Sequence, residues 1–203
     1  MIDSFLTVEA PAQARVTRHR SRFLSRVMPV DAPENIDPLV AAICRRYHDA
    51  THHCYAFRVL EGREVRDEAN DAGEPHGSAG PPILERIEGA ALLNVLAVVT
   101  RYFGGVKLGI GGLRRAYGDA AQAALDAASI VRRERRTRLE VAFPAEAGGH
   151  VMRLVHRFDG RIEQASYGKQ GLLTLTIAPS RLSQFALDLR EATGDRAKWK
   201  ETH

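Results

Sequence analysis

The residues from Leu92 to Ala128 constrain the fold of this chain more than any others. Leu92 to Val99 is a nearly unbroken apolar run, as expected of a β-strand covered on both faces. It leads into RYFGGVKLGIGGLRRAYGDAA (101–121), which places five glycines from Gly104 to Gly112 and carries no acid before Asp119. Leu113, Ala116, Tyr117, Ala120, Ala121, Ala124, Leu125 and Ala128 then recur at helical spacing along one face. The unit is strand, tight loop, helix.

Two readings of that loop stand side by side. It is neither of the common nucleotide fingerprints: no glycine precedes a Lys followed by Ser or Thr, and GIGGLR fails the last position of G-x-G-x-x-G. A helix N-terminus nevertheless offers free N–H groups and partial positive charge to an anion. The candidate ligand or anion site is therefore Arg101, Gly104, Gly105, Lys107, Gly109, Gly111, Gly112, Arg114 and Arg115. The competing reading is packing, because an alanine-faced helix lies close to its sheet and glycines permit a tight entry.

The rest of the chain divides into short elements. Residues 4–10 and 14–30 are rich in β-formers and read as a strand pair. Residues 34–48 read as a helix with Ile36, Leu39, Val40 and Ile43 on one face, and 51–60 as a strand. Residues 61–82 read as a long loop with Gly62, Gly73, Pro75, Gly77, Gly80, Pro81 and Pro82, followed by a short helix, ILERIEG. The charged segment 130–138 reads as a connector between domains spanning 1–135 and 136–203. Beyond it the order strand, helix, hairpin, helix suits a small split β-α-β sandwich, the last helix opened by Ser180 and closed by Gly194. The fold class is α+β.

Charge and cysteine usage narrow the partners. Hydrophobic residues at 44% and charged residues at 27% are ordinary for a globular protein. No apolar run reaches the roughly 20 residues of a membrane-spanning helix, and two cysteines argue against a disulfide framework, so the cytoplasm is the default compartment. Residues 1–135 carry 18 Lys/Arg against 17 Asp/Glu, while 136–203 carry 11 against 8, which makes the tail the more basic part. Cys44, His48, His52, His53 and Cys54 are metal-ligating types, but their spacing matches zinc patterns only loosely, and adjacent His52 and His53 point to opposite faces of a strand. No metal and no cofactor are expected. In the acidic loop, Asp71 and Glu74 are candidates to face the basic one, either as a binding surface or beside Mg²⁺ and a phosphate. Ser78 is placed to cap the following helix.

The blocks SRFLSRVMPV, DATHHCYAFRV, DAGEPHGSAGPPIL and NVLAVVTRYFGGVKLGIGGLRRAYGDAA resemble, in order and spacing, those of the Impact/YigZ family over roughly residues 18–128. The segment from about 137 resembles the small C-terminal domain of its bacterial members. The resemblance implies an N-terminal domain like domain 2 of ribosomal protein S5 and a ferredoxin-like domain similar to domain V of elongation factor G. Its eukaryotic members regulate translational control by binding an activator of the kinase that acts on initiation factor 2. The family's glycine block falls on Gly104, Gly105, Gly109, Gly111 and Gly112 with Lys107 and Arg114, and its acidic block on Asp71, Gly73, Glu74, Gly77 and Gly80. The family supplies no established catalytic residues. His76 stands where Ser is usual, Pro81 where a basic residue is common and Ile110 where Thr is common. The expectation is a non-enzymatic binding protein linked to translation, contacting RNA, the ribosome or a translation-associated protein through the basic loop. The alternative is an enzyme acting on a small phosphorylated ligand, with the acidic-loop residues as base or metal ligands.

Overall fold

The computed structural model describes residues 2–202. In chain order its strands are β1 (Ser4–Val8), β2 (Ala12–Arg18), β3 (Ser21–Pro29), β4 (His52–Glu61), β5 (Glu64–Asn70), β6 (Val95–Tyr102), β7 (Ile130–Glu134), β8 (Thr137–Pro144), β9 (Arg161–Ser166), β10 (Gln170–Ile177) and β11 (Lys198–Thr202). Its helices are α1 (Ile36–Arg46), α2 (Gly80–Gly89), α3 (Gly109–Asp126), α4 (Gly148–Arg157) and α5 (Leu182–Thr193). The chain is mixed α+β and forms two compact units, residues 5–133 and residues 134–202 with the first few residues through Ser4.

In the first unit five antiparallel strands lie in the order β2-β3-β6-β4-β5. β6 is central and buried over almost its whole length, which accounts for its apolar run. Its residues alternate between two cores. Val95, Ala97 and Val99 join Phe23, Val27, Cys54 and Ala56 under α2 and α3. Leu96 and Val98 join Met28, Phe57, Ile36 and Ile43 under α1. The alanine face of α3 is buried as its spacing predicts: Ala116, Tyr117, Ala120, Ala121 and Ala124 are all at or near zero exposure.

Several local expectations are corrected. Residues 4–10 and 14–30 do not pair with each other. β1 pairs with β7, inside the segment read as a connector, and Glu9 N donates to Ser129 O at 2.8 Å. Residues 12–29 instead make their own hairpin, turning at His19 and Arg20 with φ of 45° and 64°. A two-residue turn with positive φ at both positions is normally signalled by Asn or Gly, and neither is present. Part of the long acidic loop is strand β5, joined to β4 through a turn in which Gly62 has φ 61°. Ser78 does not cap α2; its hydroxyl is buried without a hydrogen-bond partner among the described residues.

The second unit has an antiparallel sheet in the order β11-β8-β10-β9. Leu139, Val141, Phe143, Leu173, Leu175 and Ile177 pack with Val151, Val155, Phe185 and Leu189 of α4 and α5. β11 was not among the expected elements; it is short, charged and at a sheet edge, where periodicity is weakest. Ser180 lies in a 3-10 turn ahead of α5, and its backbone N–H and hydroxyl both donate to the Asp3 carboxylate. Gly194 closes α5 in the left-handed conformation with φ 58°, as expected of a helix C-terminus.

Candidate functional site: the cleft at the start of α3

The glycine stretch connects the end of β6 to α3, and its glycines have different causes. A Cβ on Gly104 would lie 2.1 Å from the carbonyl carbon of Arg20 and 2.3 Å from Ser21 N, so only glycine fits against the β2–β3 turn. Gly105 and Gly109 have φ of 82° and 68° and reverse the chain before the helix. Gly111 has neither a positive φ nor a neighbour within 4 Å, and a Cβ on Gly112 would meet only Leu108 closely. Close approach is therefore required at Gly104, while Gly111 leaves the first turn of α3 bare.

Beneath the loop lies a buried polar cluster. Arg101 is 6% exposed, and its Nη1 donates to Glu74 Oε1 at 2.6 Å. The second guanidinium nitrogen reaches Ser21 Oγ at 3.4 Å, and Nε has no partner among the described residues. The Arg101 guanidinium lies 5.6 Å and 5.5 Å from the ring centres of Phe23 and Phe103. Glu74, itself buried, also accepts from the Tyr117 hydroxyl at 2.8 Å. Burial foremost, reinforced by Cys54 and Glu74, raises the Tyr117 hydroxyl far above its ordinary range, so it remains a donor. His52 holds Nδ1 at 2.9 Å from Ala72 O, and its Nε2 lies 4.0 Å from Glu74.

Over this cluster opens a cleft of about 400 Å³. Its floor is Glu74 and Arg101; its walls are Phe103, Leu108, Ile110 and Leu113; Lys107 and Gly109 stand at its edge. Phe103 is 49% exposed and Ile110 59%. Of the expected site residues, Arg101, Lys107, Gly109 and Glu74 line one space, and Gly104, Gly105, Gly111 and Gly112 shape the turn and helix start beside it. Arg114 turns away, donating to Gly77 O at 2.6 Å and Glu85 at 2.7 Å. Arg115 is exposed. Among the described residues, Lys107 and Arg115 are the loop cations without an ion pair. The apolar walls escaped sequence reasoning, although Ile110 at a position commonly Thr was a signal for them.

Asp71 does not line this cleft. Its carboxylate accepts from Gly77 N, Ala79 N and Gly80 N at 2.7, 2.8 and 2.9 Å and so caps α2. Burial alone would raise its pKa, but the three N–H bonds outweigh that and hold it below the usual carboxylate value. Cys54 donates to Asp71 O at 3.0 Å, and burial pushes its thiol up to about 12, which keeps it protonated and inert as a nucleophile. His53 faces the other side of the sheet, with Nδ1 3.0 Å from Thr100 Oγ1. Among the described residues, no three His, Cys, Asp or Glu side chains are grouped to hold a metal ion. Among the described residues, no helix is long and apolar enough to cross a membrane.

The Impact N-terminal domain model matches residues 19–125, more than half of the chain, and takes in the whole cleft. The chain belongs to the Impact family. It is 28% identical to IMPACT family member YigZ of Escherichia coli over 94% of each protein. It is 37% identical to IMPACT family member YvyE of Bacillus subtilis over 66% of this chain and 61% of that one. It is 33% identical to Protein IMPACT of Mus musculus over 51% of this chain and 34% of that one. A crystal structure of a hypothetical protein superposes with a TM-score of 0.67 and 26% identity, covering 100% of this chain and 99% of its own.

Proposed function

We propose that the chain is a non-enzymatic regulatory protein of the cytoplasm, linked to translation, that docks a translation-associated protein in the cleft at the start of α3. One observation carries this reading. The cleft sets apolar walls from Phe103, Leu108, Ile110 and Leu113 around a buried, already neutralised Arg101–Glu74 pair. Such a space suits an apolar side chain, and the bare N-terminus of α3, with Lys107 at the cleft edge and the exposed Arg115 further along the helix, suits a neighbouring acid. A phosphate-bearing ligand, RNA included, would find only those two loop cations outside ion pairs, because Arg101 and Arg114 are engaged within the fold.

The same geometry disfavours the enzymatic alternative, since Asp71 holds a helix cap and Glu74 an ion pair. The wider reading treats the chain as two modules, 1–135 and 136–203. The first is an S5 domain 2-like sandwich. The second is a ferredoxin-like domain, like domain V of elongation factor G, supported by its β8-α4-β9-β10-α5-β11 order. Both module types and the regulatory eukaryotic relatives point to translation.

A photocrosslinking benzoylphenylalanine at position 110 of the full chain tests the reading in cells. The expected product is a discrete adduct that resists ribonuclease, is destroyed by protease, and is lost when Lys107→Glu is added. An adduct destroyed by ribonuclease, or none at all in a chain that folds, would overturn it.

A further inference from the structure

The opposite side of the five-stranded sheet carries a second surface that the cleft does not explain. α1 packs against β4, and beside it a groove of about 340 Å³ opens over β2, β3 and β6. Leu24, Val98 and Thr100 form its floor, and Ile43 and Tyr47 form the wall on the α1 side. Strand alternation places Arg15, Arg22 and Arg26 on this face, because Phe23, Ser25 and Val27 face α3. Arg15 and Arg22 are exposed, Arg26 is half-buried, and none of the three forms an ion pair among the described residues. Arg22 lies 4.7 Å from the ring centre of Tyr102 and Arg46 lies 5.5 Å from that of Tyr47. Asp49 accepts from the Tyr102 hydroxyl at 2.8 Å, and that bond foremost, with a smaller contribution from the Arg22 charge, holds its carboxyl below the usual value.

We infer that this face binds single-stranded nucleic acid. Three arginines on adjoining strands, none held in an ion pair among the described residues, provide a track of positive charge for a phosphodiester chain. The Arg–Tyr layers and the apolar floor supply surfaces on which unstacked bases pack. A duplex keeps its bases stacked inside and could not reach that floor, so the single strand is the form the groove fits. The inference stands apart from the protein-docking role of the cleft, which lies on the other side of the sheet.

Fluorescence anisotropy of the full chain with a labelled 12-nucleotide oligouridylate tests it, with a 12-base-pair RNA duplex and a 12-residue oligoglutamate in parallel. The single strand is expected to bind more tightly than either. The triple variant Arg15→Gln, Arg22→Gln, Arg26→Gln keeps polar side chains on the surface. It is expected to weaken binding at least ~10-fold and to reduce the slope of log K against log salt by about 2, as loss of three phosphate contacts predicts. Tyr102→Ala is expected to weaken it about tenfold. Ile110→Glu, in the cleft, is expected to leave oligonucleotide affinity unchanged. Equal affinity for duplex or oligoglutamate, unchanged binding by a triple variant whose circular dichroism matches the parent, or an equal loss in Ile110→Glu would each overturn the assignment.

Discussion

Asp71 and Glu74 are three residues apart in the sequence and do unrelated work. Glu74 neutralises a guanidinium that burial would otherwise leave uncompensated, a situation that costs about 3–5 kcal/mol when one partner is removed. Asp71 answers the free N–H groups at the start of α2. Because its folded pKa lies below the unfolded one, its contribution is complete above the unfolded value near 4 and is lost as pH falls through the folded value. Asp71→Asn is therefore expected to lower stability at pH 7 by about 1 kcal/mol. The gap from the parent should narrow as pH drops below about 4, measured by urea midpoints from pH 7 to pH 3. A gap that stays constant with pH would show that the charge is not what holds the cap. The acid types were legible in the sequence; their separate roles were not, since a side chain's partner depends on the direction in which the loop turns it.

At the scale of elements, the strand–loop–helix unit was the most legible part of the chain. Continuous burial of β6 and the alanine periodicity of α3 are local patterns with one structural solution. The glycines between them look alike in sequence but not in space. Gly104→Ala would press a Cβ into the Arg20–Ser21 backbone and is expected to lower the melting temperature clearly. Gly111→Ala meets open space at an ordinary helical φ and is expected to stabilise the protein by about 0.5–1 kcal/mol. Thermal unfolding of the two variants checks the contrast, and equal destabilisation would contradict it. The elements that eluded sequence reading, β5, β7 and β11, are short and charged and owe their strand conformation to partners distant in sequence. The His19–Arg20 turn was hidden for a related reason: pairing of β2 with β3 imposes a conformation that neither residue advertises.

On the scale of the whole molecule, the two units have separate cores, one under α2 and α3 with its counterpart under α1, the other under α4 and α5. Leu175 has no exposure and belongs to the last of these. Leu175→Ala is expected to cost about 2–5 kcal/mol within its own unit. Hydrogen exchange should accelerate in peptides from 137–202 and stay unchanged in those from 12–126. Equal acceleration throughout would show one cooperative core.

The sequence alone determined the family, the α+β class, and the passage from a buried strand through a glycine loop to an alanine-faced helix, because each is written in contiguous residues with a fixed period or block order. Tertiary structure alone decided which cations remain free, since ion pairs form between distant segments. It withdrew Arg101 and Arg114 from the loop through Glu74 and Glu85. It also set Ile110 and Phe103 into an apolar cleft and gathered Arg15, Arg22 and Arg26 onto the opposite face of the sheet.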